Sequence, residues 1–139
     1  MAVRIYREQV KTRGATEIVD ITGLASGALR ASGLKNGVLI VFVPGSTAAV
    51  TTIEFEPGAV RDLRAAMERL VPQSIPYEHD KRWGDGNGYS HVRSALLKPG
   101  LPIPFEDSSL LLGTWQQIVL ADFDNRPRTR EVVFQVIGE

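Results

Sequence analysis

The run Gly37 to Val43, Gly-Val-Leu-Ile-Val-Phe-Val, is the most apolar stretch of the chain and carries no charge. Closed by Pro44-Gly45-Ser46, it predicts a central strand buried on both faces, and the rest of the fold must supply the layers that bury it. Ala49 to Phe55, rich in β-branched residues, predicts a second strand directly after it. Upstream, Val3, Ile5 and Tyr6 among charged neighbours predict an opening strand. Arg13-Gly14 then turns into a short strand over Ile18–Ile21. Thr22 is placed to cap a helix running to Ser32, with Leu24, Ala28, Leu29 and Ala31 inward and Gly33 as its stop. Pro57-Gly58 opens a second helix. In it Val60, Leu63, Met67, Leu70 and Val71 recur at three- and four-residue steps, while Arg61, Arg64, Glu68 and Arg69 face water. Gln73 to Gly88 shows no periodicity and predicts a long functional loop. Strands follow at His91–Leu97, Leu110–Leu112, Gln116–Asp122 and Arg130–Ile137. The expected class is α+β: a single compact domain over 1–139, a large, mainly antiparallel β-sheet with two helices packed on it.

Composition narrows the chemistry. The chain has 139 residues, enough to bury a core without cross-links, and it has no cysteine. That excludes disulfides, thiolate nucleophiles and cysteine-based metal sites, and it suits a reducing cytoplasm. Sixteen basic residues balance sixteen acidic ones, so no overall field favours nucleic acid or an anionic membrane. Met1 to Val10 alternates polar and apolar residues, unlike a signal peptide or a membrane span. The expectation is a cytoplasmic protein with neither nucleic-acid nor membrane partners.

Four segments hold polar residues where the pattern demands neither core nor a simple turn. Gly45-Ser46-Thr47 follows the apolar strand. It is either a tight crossover or a run of exposed amides that cradles an anion. Tyr77-Glu78-His79-Asp80 and Asp85-Gly86-Asn87-Gly88-Tyr89-Ser90-His91 contain both histidines of the chain, each beside carboxylates. Imidazole with carboxylate is what a zinc site or a general acid/base requires, although two histidines twelve apart match no standard zinc spacing. Surface histidines on a glycine-rich turn are the alternative. Leu112-Gly113-Thr114-Trp115-Gln116-Gln117 floors a pocket or packs as an interface or core tryptophan. Arg126, Arg128 and Arg130 form a basic cluster that is either a solvated turn or a phosphate contact. Walker, dinucleotide-binding and nucleophile-elbow motifs are absent.

Taken together, these blocks resemble the YjbQ family over nearly the whole chain. The resemblance rests on Phe42-Val43-Pro44-x-Ser46-Thr47-Ala48-Ala49, Glu54, Tyr77-x-His79 and Asp85-Gly86-Asn87-Gly88-x-Ser90-His91-Val92-Arg93. Leu112 to Ile118 and Asp122-Phe123-Asp124-x-x-Pro127-Arg128 complete it. It implies a compact α+β fold, a homotrimer, and a polar pocket near subunit boundaries where histidines and a glutamate bind metal or anions. It also implies a weak thiamine-phosphate-synthase activity, joining a pyrimidine diphosphate to a thiazole phosphate. On this basis His91, His79, Glu54 and Asp85 are the catalytic candidates. Ser46, Thr47, Asn87, Trp115, Gln116 and Arg128 are the candidates for binding a small anionic metabolite or phosphate. His79, His91 and Glu54 would ligate zinc or another divalent metal. Where the family has histidine, this chain has Gly45 and Tyr89, leaving two imidazoles and at least one carboxylate. The implied functions are a transferase or phosphate-metabolite enzyme, or an anion- or metabolite-binding protein that has lost catalysis with those histidines.

Overall fold

In the computed structural model, which describes all of residues 1–139, every strand pairing is antiparallel. The strands are β1 (Ala2–Thr12), β2 (Glu17–Asp20), β3 (Gly37–Phe42), β4 (Ala48–Ile53), β5 (Gly100–Glu106), β6 (Ser109–Leu110), β7 (Gln117–Asp122) and β8 (Arg128–Gly138). They form a five-stranded sheet, β1-β8-β3-β5-β6, and a three-stranded sheet, β2-β7-β4. The helices are α1 (Thr22–Ser32), α2 (Pro57–Leu70), α3 (Glu78–Trp83) and α4 (Gly88–Leu97).

The core explains the layering. Leu39, Val41, Ile103, Phe105, Val132, Phe134 and Val136 of the larger sheet pack with Val50, Ile118 and Leu120 of the smaller one. Ile21, Ala25, Ala28 and Leu29 at and within α1 close the same cluster. The other face of the small sheet, through Ile18, Ala49, Val119 and Ala121, packs on Met67, Val60 and Leu63 of α2 and Leu97 of α4. The layers are therefore large sheet, small sheet, helices. It is β4 and β7 that are buried on both faces. The expectation that β3 would be is corrected: Leu39 and Val41 are wholly buried, but Phe42 on the alternate face is 42% exposed.

Helix boundaries follow local chemistry. Asp20 Oδ1 accepts from both the N–H and the hydroxyl of Thr22, so the carboxylate, not Thr22, caps α1. Gly33 ends that helix in the left-handed region, as anticipated, and Ala25 takes the inward position expected of the exposed Ala31. Glu56 accepts from Gly58 and Ala59 N–H and starts α2. Leu70, placed inward by the pattern, is exposed at the end of α2.

Two elements differ in kind from the sequence expectation. The stretch expected to be structureless contains α3, whose six residues are too few to show a period. The strand expected at His91–Leu97 is α4, so four helices are present instead of two. Its inward residues are Tyr89, Ser90, Arg93 and Ser94, spaced for a helix but mostly polar, which hides the pattern. Ser90 and Ser94 hydroxyls donate to the Phe123 and Ala48 carbonyls, tying α4 to the small sheet. Buried Arg93 donates to the Val71 carbonyl, Thr16 Oγ1 and Glu68, and lies over the Tyr89 ring at 4.9 Å. Strand β5 was not anticipated because of its two prolines. The Pro104 carbonyl accepts from Leu111 at the outer side, so the missing proline N–H faces the edge and costs the β3 ladder nothing.

Candidate functional site

One polar cavity of about 480 Å³ gathers most of the expected residues. Gly45, Ser46 and Thr47 come from the β3–β4 connection, His79 and Trp83 from α3, and Asp85 and Asn87 from the turn after it. His91 comes from α4, and Arg128 and Arg130 from the start of β8. Gly88 makes this convergence possible. A side chain there would meet Tyr77 Cβ at 2.6 Å, so only glycine lets α4 begin against α3. Its N–H donates to Asp80 Oδ1 at 2.8 Å, which fixes α4 relative to His79.

The two imidazoles are in contact, ring centroids 4.3 Å apart and tilted by 37°. His79 Nδ1 is enclosed without a hydrogen-bond partner and lies 3.4 Å from Asp85 Oδ1 and 3.7 Å from Asp80 Oδ1. Burial, and then the neighbouring His79, hold the pKa of His91 below the ordinary imidazole value. Asn87 lies between two carboxylates, 3.4 Å from Asp124 and 3.0 Å from Asp85.

The opposite wall is ionic. Asp122 and Asp124, both fully buried at the end of β7, accept from the guanidinium groups of Arg130 and Arg128. Thr12 donates to Asp122 at 2.5 Å. Thr47 Oγ1 links the two pairs, accepting from Arg130 and donating to Asp124. Burial pushes both carboxyls up, but hydrogen bonds outweigh it and hold both below the usual carboxylate range. The bonds come chiefly from Arg130 to Asp122 and from Arg128 to Asp124. Of the basic turn cluster, Arg126 is exposed, while Arg128 and Arg130 alternate onto one face of β8 and enter the cavity. Period-two spacing was the available signal. Trp83 had none, being the one aromatic residue of an unrecognised helix.

These depressed pKa values set the sign of the pH response. The stabilisation from Asp122 and Asp124 is complete above the unfolded carboxylate pKa of about 4 and is lost as pH falls through the folded values. For His91 the unfolded chain takes up a proton near pH 6.5 before the folded chain does, so stability already declines from there downward. The melting temperature should therefore fall in two stages on acidification. His91→Gln should abolish the upper stage alone; an unchanged upper stage in that variant would exclude His91 as its source.

Three of the expected residues lie elsewhere. Glu54, at the far end of β4, shares a separate depression with Asp20, Phe55, Glu56, Thr114, Trp115 and Gln117. Gln116 turns back onto Thr52 and the Gly113 N–H, and Trp115 is 73% exposed. Thr47 and Glu54 flank the whole length of β4, roughly 20 Å at the usual strand rise. Within one chain, Glu54 therefore does not join the imidazoles, and Asp85 and Asp80 are the carboxylates beside them. Tyr89, which stands where the family has histidine, lies outside the cavity as well. It is 2% exposed and faces Arg93, not the cavity. A strand would have put residues 89 and 91 on one side, whereas the helix turns them about 200° apart.

The architecture thus defines an antiparallel α+β domain with a mixed imidazole–guanidinium cavity between its helices and its strand ends. The chain belongs to the YjbQ family: the model described as UPF0047 protein YjbQ-like matches residues 7–139. A UPF0047 protein of Methanothermobacter thermautotrophicus is 35% identical over 99% of this chain and 95% of its own length. Among solved structures, a hypothetical protein from Aeropyrum pernix superposes with a TM-score of 0.91 at 32% identity, covering 98% of this chain and 99% of its own. A YbjQ-like protein of unknown function from Sulfolobus solfataricus superposes at 0.89 with 28% identity, covering 99% of this chain and all of its own. No helix is long and apolar enough to cross a membrane.

Proposed function

We propose that the chain is a small-molecule enzyme acting on an anionic, phosphorylated metabolite, with the His79–His91 pair as its proton carriers. The observation that carries this reading is the contact of the two imidazoles inside a cavity that also holds Arg128 and Arg130. His91, kept neutral near pH 7 by its burial, serves as the base, and Asp85 lies beside His79 with Oδ1 3.4 Å from Nδ1. The specific form suggested by the family resemblance is a thiamine-phosphate-synthase-like transferase. His79, Asp80 and Asp85 offer ligand atoms within 4.8 Å of one another, a donor set that suits zinc or another divalent cation. A bound cation would supply charge neutralisation for the phosphoryl group. Glu54 has no place in that set.

The second reading is a protein that binds the metabolite without turning it over. It is favoured by Gly45, which contributes no side chain where the family has histidine. The experiment is direct: metal content of the purified protein, formation of thiamine phosphate from its two precursors, and both repeated with His91→Ala. The enzyme reading expects measurable turnover that falls about 10²–10⁴-fold in the variant. Ligand binding with no turnover in the unaltered protein would leave the binder.

The functional assembly is a homotrimer, supported by an apolar outer surface on the large sheet. Pairing sets Val3, Ile137, Val38 and Pro104 in one row across it, and Ile5, Gln135, Ile40 and Pro102 in the next. Val3, Ile5 and Phe42 are each at least 42% exposed, and so contiguous an apolar surface is covered in stable proteins.

A further inference from the structure

Arg130 reaches the cavity with its side chain 9% exposed. Asp122 accepts from Nε at 2.7 Å and from Nη2 at 2.8 Å, and Thr47 Oγ1 accepts from Nη2 at 2.7 Å. Nη1 donates to no atom of the chain and remains accessible, a guanidinium edge free to meet an acceptor from outside the chain. That nitrogen is aimed at Gly45. A Cβ at position 45 would stand 3.4 Å from Nη1 and within 4 Å of nothing else. Glycine at this position, with φ of 155°, therefore leaves Nη1 open to the cavity. The backbone beside it is equally unmatched. The N–H groups of Gly45, Ser46 and Thr47 find no acceptor in the chain, although Thr47 is 4% exposed.

Free amides on residues that line one cavity with a guanidinium edge supply a donor set of the kind that receives an oxyanion. Donors arriving from two directions suit diverging oxygens of a tetrahedral group better than a flat carboxylate. The geometry points to a seat for a phosphoryl group, made by Arg130 Nη1 and the amides of residues 45–47, in which Gly45 acts as the opening. This rests on the reading of the cavity as a ligand site and adds where the ligand is anchored, at the wall opposite the imidazoles. Asp122 and Asp124 are already matched by guanidinium groups, while Asp85 lines the same cavity with no arginine or lysine partner. Affinity for inorganic phosphate alone should accordingly be in the millimolar range.

The test is a titration of the ¹⁵N-labelled full chain with sodium phosphate against sodium chloride of equal ionic strength. The chains compared are wild type, Gly45→Ala and His91→Ala. The amide signals of residues 45–47 should shift saturably in wild type and in His91→Ala, and Gly45→Ala should weaken binding at least tenfold. Arg130→Lys retains a cation for Asp122 but removes Nη1, and it should weaken binding similarly if Gly45→Ala does not fold. Absence of a saturable phosphate-specific shift at 45–47, or unchanged affinity in folded Gly45→Ala, would overturn the seat. Binding lost in His91→Ala but kept in Gly45→Ala would overturn it too, while sparing the cavity as a ligand site. Phosphate held at 45–47 by a chain without turnover would remove the enzyme reading and keep the seat.

Discussion

Arg130→Met should lower the stability of this domain by about 3–5 kcal/mol, the usual result of removing one partner of a buried ion pair. Asp122 is fully buried and relies on Arg130 for two of its hydrogen bonds. Methionine fills much the same volume, so the loss is electrostatic and not a cavity effect. Against a typical domain stability of about 5–15 kcal/mol, this is a large fraction, worth roughly 10–20 °C in melting temperature. Denaturant unfolding at pH 7 reads it directly. Two controls isolate the cause. Adding Asp122→Leu should recover about half of the loss or more, because the stranded carboxylate goes with it. Acidification through the folded pKa of Asp122 should narrow the gap between variant and wild type, since the carboxylate that Arg130 stabilises is then protonated. A loss under about 1 kcal/mol would mean that the carboxylate finds another partner or water.

On the proposed trimer, Ile40→Asp should convert the assembly to a monomer. Ile40 lies in the centre of the outer row of the large sheet, flanked by Gln135 on β8 and Pro102 on β5. A carboxylate there costs the isolated chain little, because that face is partly open to water. In an assembly that covers the face, the same charge is desolvated without a partner, at a cost of several kcal/mol per site. The dissociation constant should rise by at least about 100-fold. Sedimentation of wild type and variant at micromolar concentration decides the point: a wild-type monomer would refute the trimer, and an assembled Ile40→Asp would place the interface elsewhere.

Those two residues illustrate what was legible in the sequence. The apolar run containing Ile40 was correctly placed as a central strand, because an uninterrupted apolar stretch has few alternatives. That one of its faces is open was not legible, since sequence shows apolarity but not what covers it. The cavity was partly legible. Polar residues at Ser46, Thr47, His79, Asp85, Asn87, His91 and Arg128 stood where neither core nor turn required them, and the fold brings them together. Arg130 was legible only as part of a basic cluster, a solvated turn or a phosphate contact, because its pairing depends on Asp122 being buried opposite, which no local pattern records. Where Glu54 and Tyr89 lie within the chain was not legible, for a geometric reason. Their placement depended on strand ends and on the direction of α4, and polar inward residues on that helix erased the period that would have identified it.

The pairing of β1 with β8 has a consequence for how the chain reaches this state. β8 lies between β1 and β3, so residues as far apart in sequence as Ala2 and Gly138 are direct partners. As the protein is synthesised, β1 and β3 both emerge with no neighbour to accept one side of their ladders. They must wait for β8 to leave the ribosome before the large sheet can close. So much non-local pairing implies slow folding, and the exposed apolar row of β3 is available to other nascent chains in the interval. A chain truncated before β8 would leave both strands as open edges permanently.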